Sequence, residues 1–244
     1  MRLALLSDQH ANDVAFRAVL EDVERLGVEG IVCLGDVAQG GAEPAQTLDR
    51  LAALGCATVL GNADALLLEV PADSPEPITE RLLEVREWTL SQLSPSHLDQ
   101  IRSFAPVVRQ EPDGAALLFF HGSPRSYDDV LLPELSGDAL EPFLGHDVAV
   151  LAGGHTHVQW TRRIGDAVYV NPGSVGISFD RHAPEPPSLR PLAEWALVAV
   201  TDGTVAVEFR QVVYAVEDAQ AAAKRSGRPY AEEWAAQWGA SPRP

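Results

Sequence analysis

The sequence predicts an α/β fold in which two sheets pack face to face with helices outside. Two observations carry this expectation. The first sixty residues alternate short apolar runs with helical periodicity, a βαβαβ order that implies parallel strands joined by right-handed crossovers. From residue 107 onward the chain reads instead as successive strand pairs around Asp-Gly and Gly-Asp turns, the mark of hairpins. With 244 residues, 46% of them hydrophobic and 22% charged, the chain can bury a full core without disulfide staples.

The elements follow in order. Leu3–Leu6 is a continuous apolar run, as expected of a strand covered on both faces. Across Val14–Leu26 the apolar positions Val14, Val19, Val23 and Leu26 recur with a helical period, with Asn12 or Asp13 to cap the start and Gly27 to end it. Gly30–Leu34 is a second buried strand, Ala42–Leu54 a second helix closed by Gly55, and Thr58–Leu60 a third strand. Residues 64–113 hold ten acids and four arginines, with Pro71, Pro75 and Pro77 near the start, and read as a solvated helical insertion with helices over Arg81–Leu93 and His97–Phe104. Val107–Gln110 and Ala115–Phe120 form a hairpin around Asp113-Gly114, and Asp147–Leu151 is another buried strand. Val158–Ile164 and Ala167–Val170 make a second hairpin, residues 184–191 with four prolines an irregular loop, and Trp195–Thr201 and Thr204–Gln211 a third hairpin. Residues 212–244 are a helical tail broken at Gly227 and Pro229. We read 1–244 as one domain.

Composition narrows the partners. Thirty-five acids stand against 18 bases, a formal net charge of −17, and Lys224 is the one lysine. Duplex nucleic acid demands clustered cations for counterion release, so that partner is excluded. Without an apolar run of about 18 residues a membrane span is excluded too. The opening MRLALLSDQH has no cleavage-like region and reads as no secretory signal. Cys33 and Cys56 each sit in an apolar segment without zinc-type spacing, as buried thiols of a reducing cytosol do. The expected location is cytoplasmic.

Polar residues gather where the apolar strands end. Ser7-Asp8-Gln9-His10-Ala11-Asn12 follows the first, Gly35-Asp36 the second and Gly61-Asn62-Ala63-Asp64 the third. His121-Gly122 follows the Ala115–Phe120 strand, and Gly153-Gly154-His155-Thr156-His157 follows the next. Ligands bind at the carboxyl ends of strands in open α/β sheets. Asp8 and His10, two apart, both face one way if the backbone is extended. Carboxylate, imidazole and amide donors without thiolate suit Mn, Fe or Zn in a working site and not a structural zinc cage. A carboxylate such as Asp36 can bridge two ions, and two ions can hold a phosphoryl oxygen and generate hydroxide. Taken alone, Gly-Asp after a strand is a capped turn and a buried His a core residue; together, four of the seven histidines fall within these segments.

In order, these segments resemble the calcineurin-like metallophosphoesterase superfamily, whose pattern is D-x-H, G-D, G-N-x-[D/E], H and G-H-x-H. The resemblance spans about residues 1–176 and reaches Asn171-Pro172-Gly173-Ser174, similar to the N-P-G-S segment of a small bacterial phosphodiesterase-like branch. It implies a four-layer α-β-β-α sandwich with two mixed sheets and two divalent metal ions. It implies Asp8, His10, Asp36 and His157 as ligands of one ion, and Asp36, Asn62, His121 and His155 of the other. Asp36, Asn62 and His121 are the catalytic candidates.

Three departures from the family pattern shape the expected activity. Gly40 stands where the protein-phosphatase branch has a phosphate-clamping Arg, which argues against a phosphoprotein substrate. Ala63 stands where many relatives carry a proton-donating His, which favours activated leaving groups. Gln9 and Ala11 replace commoner residues of the first motif without removing a ligand. Arg125 is a candidate substitute clamp, or else a loop Arg paired with Asp128 or Asp129; Arg162 and Arg163 are structural. Asp64, Asn171 and Ser174 are further candidates to line the pocket. His97 and His146 read as surface residues, and His182 as a loop residue within reach of the site. The expected function is hydrolysis of phosphodiesters or nucleotide-type small phosphorylated substrates by hydroxide attack. The alternatives are a phosphomonoesterase, or a silent binding scaffold of the same fold, as one retromer subunit is.

Overall fold

The computed structural model describes residues 1–75, 77–144, 147–179 and 188–238. Strands β1 (Arg2–Leu6), β2 (Gly30–Cys33) and β3 (Ala57–Thr58) run parallel, joined by helices α1 (Asp13–Leu26) and α2 (Pro44–Leu54). Asn12 caps α1 by accepting the Ala15 N–H, and Gly27 closes it in the left-handed conformation that glycine takes at least cost. Helices α3 (Asn62–Leu68), α4 (Glu80–Gln92) and α5 (Pro95–Arg102) follow, then β4 (Val108–Gln110) and β5 (Leu117–Phe119), paired antiparallel. Helix α6 (Gly137–Leu144) precedes β6 (Val150–Ala152), the hairpin β7 (Gln159–Ile164) and β8 (Ala167–Pro172), and the hairpin β9 (Leu192–Thr201) and β10 (Thr204–Val213). Helices α7 (Val216–Ser226) and α8 (Ala231–Ala235) close the described chain.

The strands form two mixed five-stranded sheets, ordered β10-β9-β1-β2-β3 and β4-β5-β6-β8-β7. Period-two alternation builds the layers. Leu3 and Leu5 face the second sheet, joining Leu117, Phe119, Val150 and Ala152 in the inter-sheet core. Ala4 and Leu6 face outward onto Phe16, Val19 and Leu48 of α1 and α2. The other face of the second sheet, through Phe120, Leu151 and Tyr169, packs on Leu140 and Leu144 of α6. Each fully buried Leu or Phe contributes about 1.5–3 kcal/mol. The result is the expected four-layer sandwich.

Details depart from expectation. Parallel strands and hairpins are not confined to separate halves: β9 crosses from the C-terminal region to pair antiparallel with β1, because its run of buried side chains needs cover on both faces. Two short helices, α3 and α6, lie outside the helical periods read from the sequence, α3 at the start of the helical insertion. The insertion is less solvated than expected, since Ile101 and Phe104 enter the core and Ala105 bridges to Val59. His97 is not a free surface residue. Its Nδ1 accepts the Ser94 N–H at the start of α5, and its Nε2 meets Asp49 Oδ1 at 2.9 Å. Cys33 is buried and Cys56 half-buried, both as free thiols. His146, His182 and residues 184–187 of the proline-rich loop lie outside the described residues. Among the described residues no helix is long and apolar enough to cross a membrane.

Candidate metal centre

Five strand ends meet at one place. Those of β1, β2 and β3 come from the first sheet, and those of β5 and β6 from the second. Main-chain hydrogen bonds continue past the strands and lace the loops together. Asp8 N–H donates to Gly35 O, His10 N–H to Asp36 O and Ala11 N–H to Val37 O. Gly154 N–H donates to His121 O, while Val175 and Gly176 N–H groups donate to Ser7 O and Asp8 O. The loops of both sheets are therefore one fabric.

Asp8, His10, Asp36, His155 and His157 all have φ between +44° and +68°. Left-handed backbone costs a non-glycine residue about 1–2 kcal/mol. Such strain concentrates where function over-determines the backbone. It also corrects the expectation for Asp8 and His10: they share a centre because both residues turn, not because the segment is extended. Ala11, at φ 53°, takes the same conformation, so the alanine leaves the path of the loop intact.

Two groups of donors result. Asp8, His10 and His157 present ligand atoms within 4.8 Å of one another, and so do Asp36, His121 and His155. Asp36 Oδ2 lies between the groups, 3.6 Å from His10 Nε2 and 3.3 Å from His121 Nε2. Asn62 Oδ1 lies 3.0 Å from His121 Nε2. The seven candidate ligands are thus brought together.

The imidazoles are oriented from behind. His10 Nδ1 faces Gln39 O at 2.9 Å, His121 Nδ1 faces Leu34 O at 2.7 Å, and His157 Nδ1 faces Ile177 O at 2.8 Å. A carbonyl can only accept, so each Nδ1 carries a proton and each Nε2 is the atom turned to the centre, able to offer a lone pair once its own proton is displaced. His10 Nε2 and His157 Nε2 stand 3.1 Å apart. Asp8 Oδ1 is fully buried with no hydrogen-bond donor, 3.3 Å from His157 Nε2. Imidazole nitrogens and a buried carboxylate oxygen converging this way call for a cation between them, and the nitrogen and oxygen donor set fits a divalent transition metal. The same atoms attract positive charge in the metal-free chain. Burial disfavours charge on His121, yet the Asp36 and Asp8 carboxylates push its pKa up to about 10, so its Nε2 there carries a proton that a metal ion would displace. Burial would raise Asp36, yet His121, His10 and His155 hold it well below the usual carboxylate range.

Three substrate-contact expectations are corrected. Asp64 is fully buried, and its carboxylate accepts the N–H groups of Asp36, Val37 and Gly61. Asn171 Nδ2 donates to Gly154 O and Thr156 Oγ1, bracing the His155–His157 turn. Ser174 Oγ donates to Asp8 O and accepts the Ile177 N–H. All three are fully buried and hold ligand loops from behind. Arg125 lies over the Phe143 ring at 5.1 Å, on α6, while Asp129 accepts from Ser123 Oγ. Arg162 donates to Leu135 O and Pro133 O, the structural role expected. Sequence reasoning missed the orienting carbonyls of Leu34, Gln39 and Ile177, because a backbone group leaves no residue signature. It also missed Arg228, whose guanidinium reaches from the tail to Gly40 O at 2.8 Å.

Residues 1–188 match the family model of the calcineurin-like phosphoesterase superfamily domain. The chain belongs to that superfamily, and membership supports phosphoester hydrolysis with divalent metals as its class of chemistry. A metallophosphoesterase from Sphaerobacter thermophilus is similar over 97% of both chains, at 26% identity and a TM-score of 0.72. A hypothetical protein from Pyrococcus horikoshii OT3 shares the fold over 99% of both chains, at 19% identity and a TM-score of 0.82. An uncharacterized protein of Methanocaldococcus jannaschii is 25% identical over 181 residues, 73% of this chain and 72% of its own.

Proposed function

We propose that the protein is a phosphodiesterase that works with two divalent metal ions, Mn, Fe or Zn. The observation that carries this reading is the pair of donor groups meeting at Asp36 Oδ2, with imidazole Nε2 atoms directed inward. Asp8, His10 and His157 would hold one ion, and Asn62, His121 and His155 the other, with Asp36 shared. A pair of divalent ions supplies Lewis acidity toward phosphoryl oxygens and acidifies water. The chain's own part is positioning. Three backbone carbonyls fix the imidazoles, and Asp64, Asn171 and Ser174 fix the loops. Diesters are favoured over dianionic monoesters because, among the described residues, Asp8 and Asp36 face imidazoles and no Lys or Arg, and Arg125 is engaged with Phe143. A small phosphorylated substrate in the cytoplasm fits the acidic chain. The test compares bis-p-nitrophenyl phosphate with p-nitrophenyl phosphate in the Mn-loaded protein. Faster diester turnover supports the reading. Faster monoester turnover moves it to a phosphomonoesterase, and turnover of neither with no metal retained moves it to a binding scaffold.

A further inference from the structure

Beside the centre lies a cavity of about 310 Å³. Asn62 belongs to both: its Oδ1 faces His121, and its side of α3 continues into the cavity wall. Leu66 and Leu68 of α3, Leu82 of α4, and Pro71 and Ile78 between the two helices form the apolar surface, and Tyr127 borders it from the loop after β5. Among the described residues no Lys or Arg lines the cavity, whereas Glu69 and Asp128 do. The volume is at the small end of ligand pockets and suits one bicyclic ring system.

We propose that this cavity receives the leaving group of the substrate and selects an uncharged, apolar aromatic alcohol. The inference rests on the phosphodiesterase reading and specifies the substrate class of that site. A phosphate seated at the centre would sit beside Asn62, so the group esterified to it can extend along α3 into the cavity. Apolar walls favour ring burial, and the Glu69 carboxylate, on a chain of net charge −17, repels a second phosphate or a carboxylate. A dinucleoside polyphosphate, one of the nucleotide-type substrates the sequence suggests, is disfavoured by the same charges. Ala63 fits the pattern, because an aryl alcohol departs without the proton donor that an alkyl alcohol needs.

The test uses methyl phenyl, methyl 2-naphthyl and methyl 6-carboxy-2-naphthyl phosphate with the Mn-loaded full chain. Phenol and 2-naphthol are of similar acidity, so their esters differ chiefly in apolar area. We expect kcat/KM to rise about tenfold from phenyl to naphthyl, from the added ring area. The carboxylated ester should lose that gain. Ile78→Trp, which fills the cavity away from the centre, should erase the naphthyl advantage and leave the phenyl ester within about twofold. Leu82→Trp repeats the test from α4 should the first variant fold poorly. Binding of 2-naphthol, followed by its own fluorescence, should weaken in both variants, a readout independent of turnover. Turnover indifferent to ring size, or naphthol binding that leaves every ester unaffected, would overturn the leaving-group role while hydrolysis stands. Failure to hydrolyse any diester would overturn the phosphodiesterase reading and this inference together.

Discussion

Asp36 Oδ1 accepts the Ala63 N–H at 2.8 Å, and Oδ2 turns toward His10 and His121. Asp36→Asn therefore keeps the backbone contact and removes the charge shared by both donor groups. Turnover of bis-p-nitrophenyl phosphate should fall by 10²–10³-fold, on the order seen when a transition-state electrostatic contact is lost. Metal-free protein should also lose stability, since protonated His121 would be left without its countercharge. Near-normal turnover in the variant would remove Asp36 from the shared position. Ala63, in the first turn of α3, is half-buried beside the centre. Ala63→His should accelerate alkyl diesters by ~10²-fold if the imidazole serves as general acid, and aryl diesters little. Asp64 cannot orient that imidazole, because both its oxygens accept backbone N–H groups. An equal effect on both ester types would contradict the acid role. At this scale the ligands were legible because their chemistry is rare and ordered along the chain. Asp64, Asn171 and Ser174 were misread because spacing places a residue in a loop but does not tell which way its side chain faces.

Helix α3 carries Asn62 and one wall of the cavity, and two contacts outside it fix its position. Arg86 of α4 donates to Leu66 O and Leu67 O at its C-terminal end. At its start Gly61 packs against Asp36, where an added Cβ would collide with Oδ1 and the backbone N. Gly61→Ala should displace Asp36 and cost both metal affinity and turnover, although its φ of −90° suits any residue. Metal titration of the variant decides this, and unchanged affinity would show that the loop accommodates the methyl group. The strands and long helices were legible through their periods. Helix α3 was not, because seven residues span too few turns for a period to emerge, and α6 has Pro142 within it. The partnership of β9 with β1 was equally hidden, since pairing between distant segments leaves no local trace.

Across the whole molecule, the acidic excess makes ion pairing selective, and the buried ones have the largest consequence. Asp22 is buried on α1, where it accepts from Trp195 Nε1 and pairs with Arg210 and Arg25. Burial works against its charge, but those guanidiniums hold its carboxyl below the usual range. The unfolded chain then takes up the proton first as pH falls. The stabilisation is complete above the ordinary carboxylate value of about 4 and is lost as pH drops below it. Asp22→Asn should lower Tm at pH 7, and the gap should narrow toward pH 3. A gap that holds constant to pH 3 would mean that the charge is not what matters. The four-layer stacking was legible from the order of parallel strands and hairpins, whereas the placement of each hairpin in its sheet depends on which faces remain uncovered after folding.

The central claim is that seven converging side chains hold two metal ions, and its most direct test is the thermal stability of the full chain against Mn, with bound metal counted at saturation. A ligand bound by the native state at a hundredfold excess over its Kd stabilises it by about 2.7 kcal/mol, or roughly 5–10 °C in Tm for a chain this size. The account predicts a rise of that order, its reversal by chelation, and two ions per chain. No bound metal, with a Tm unmoved by either addition or chelation, would contradict it.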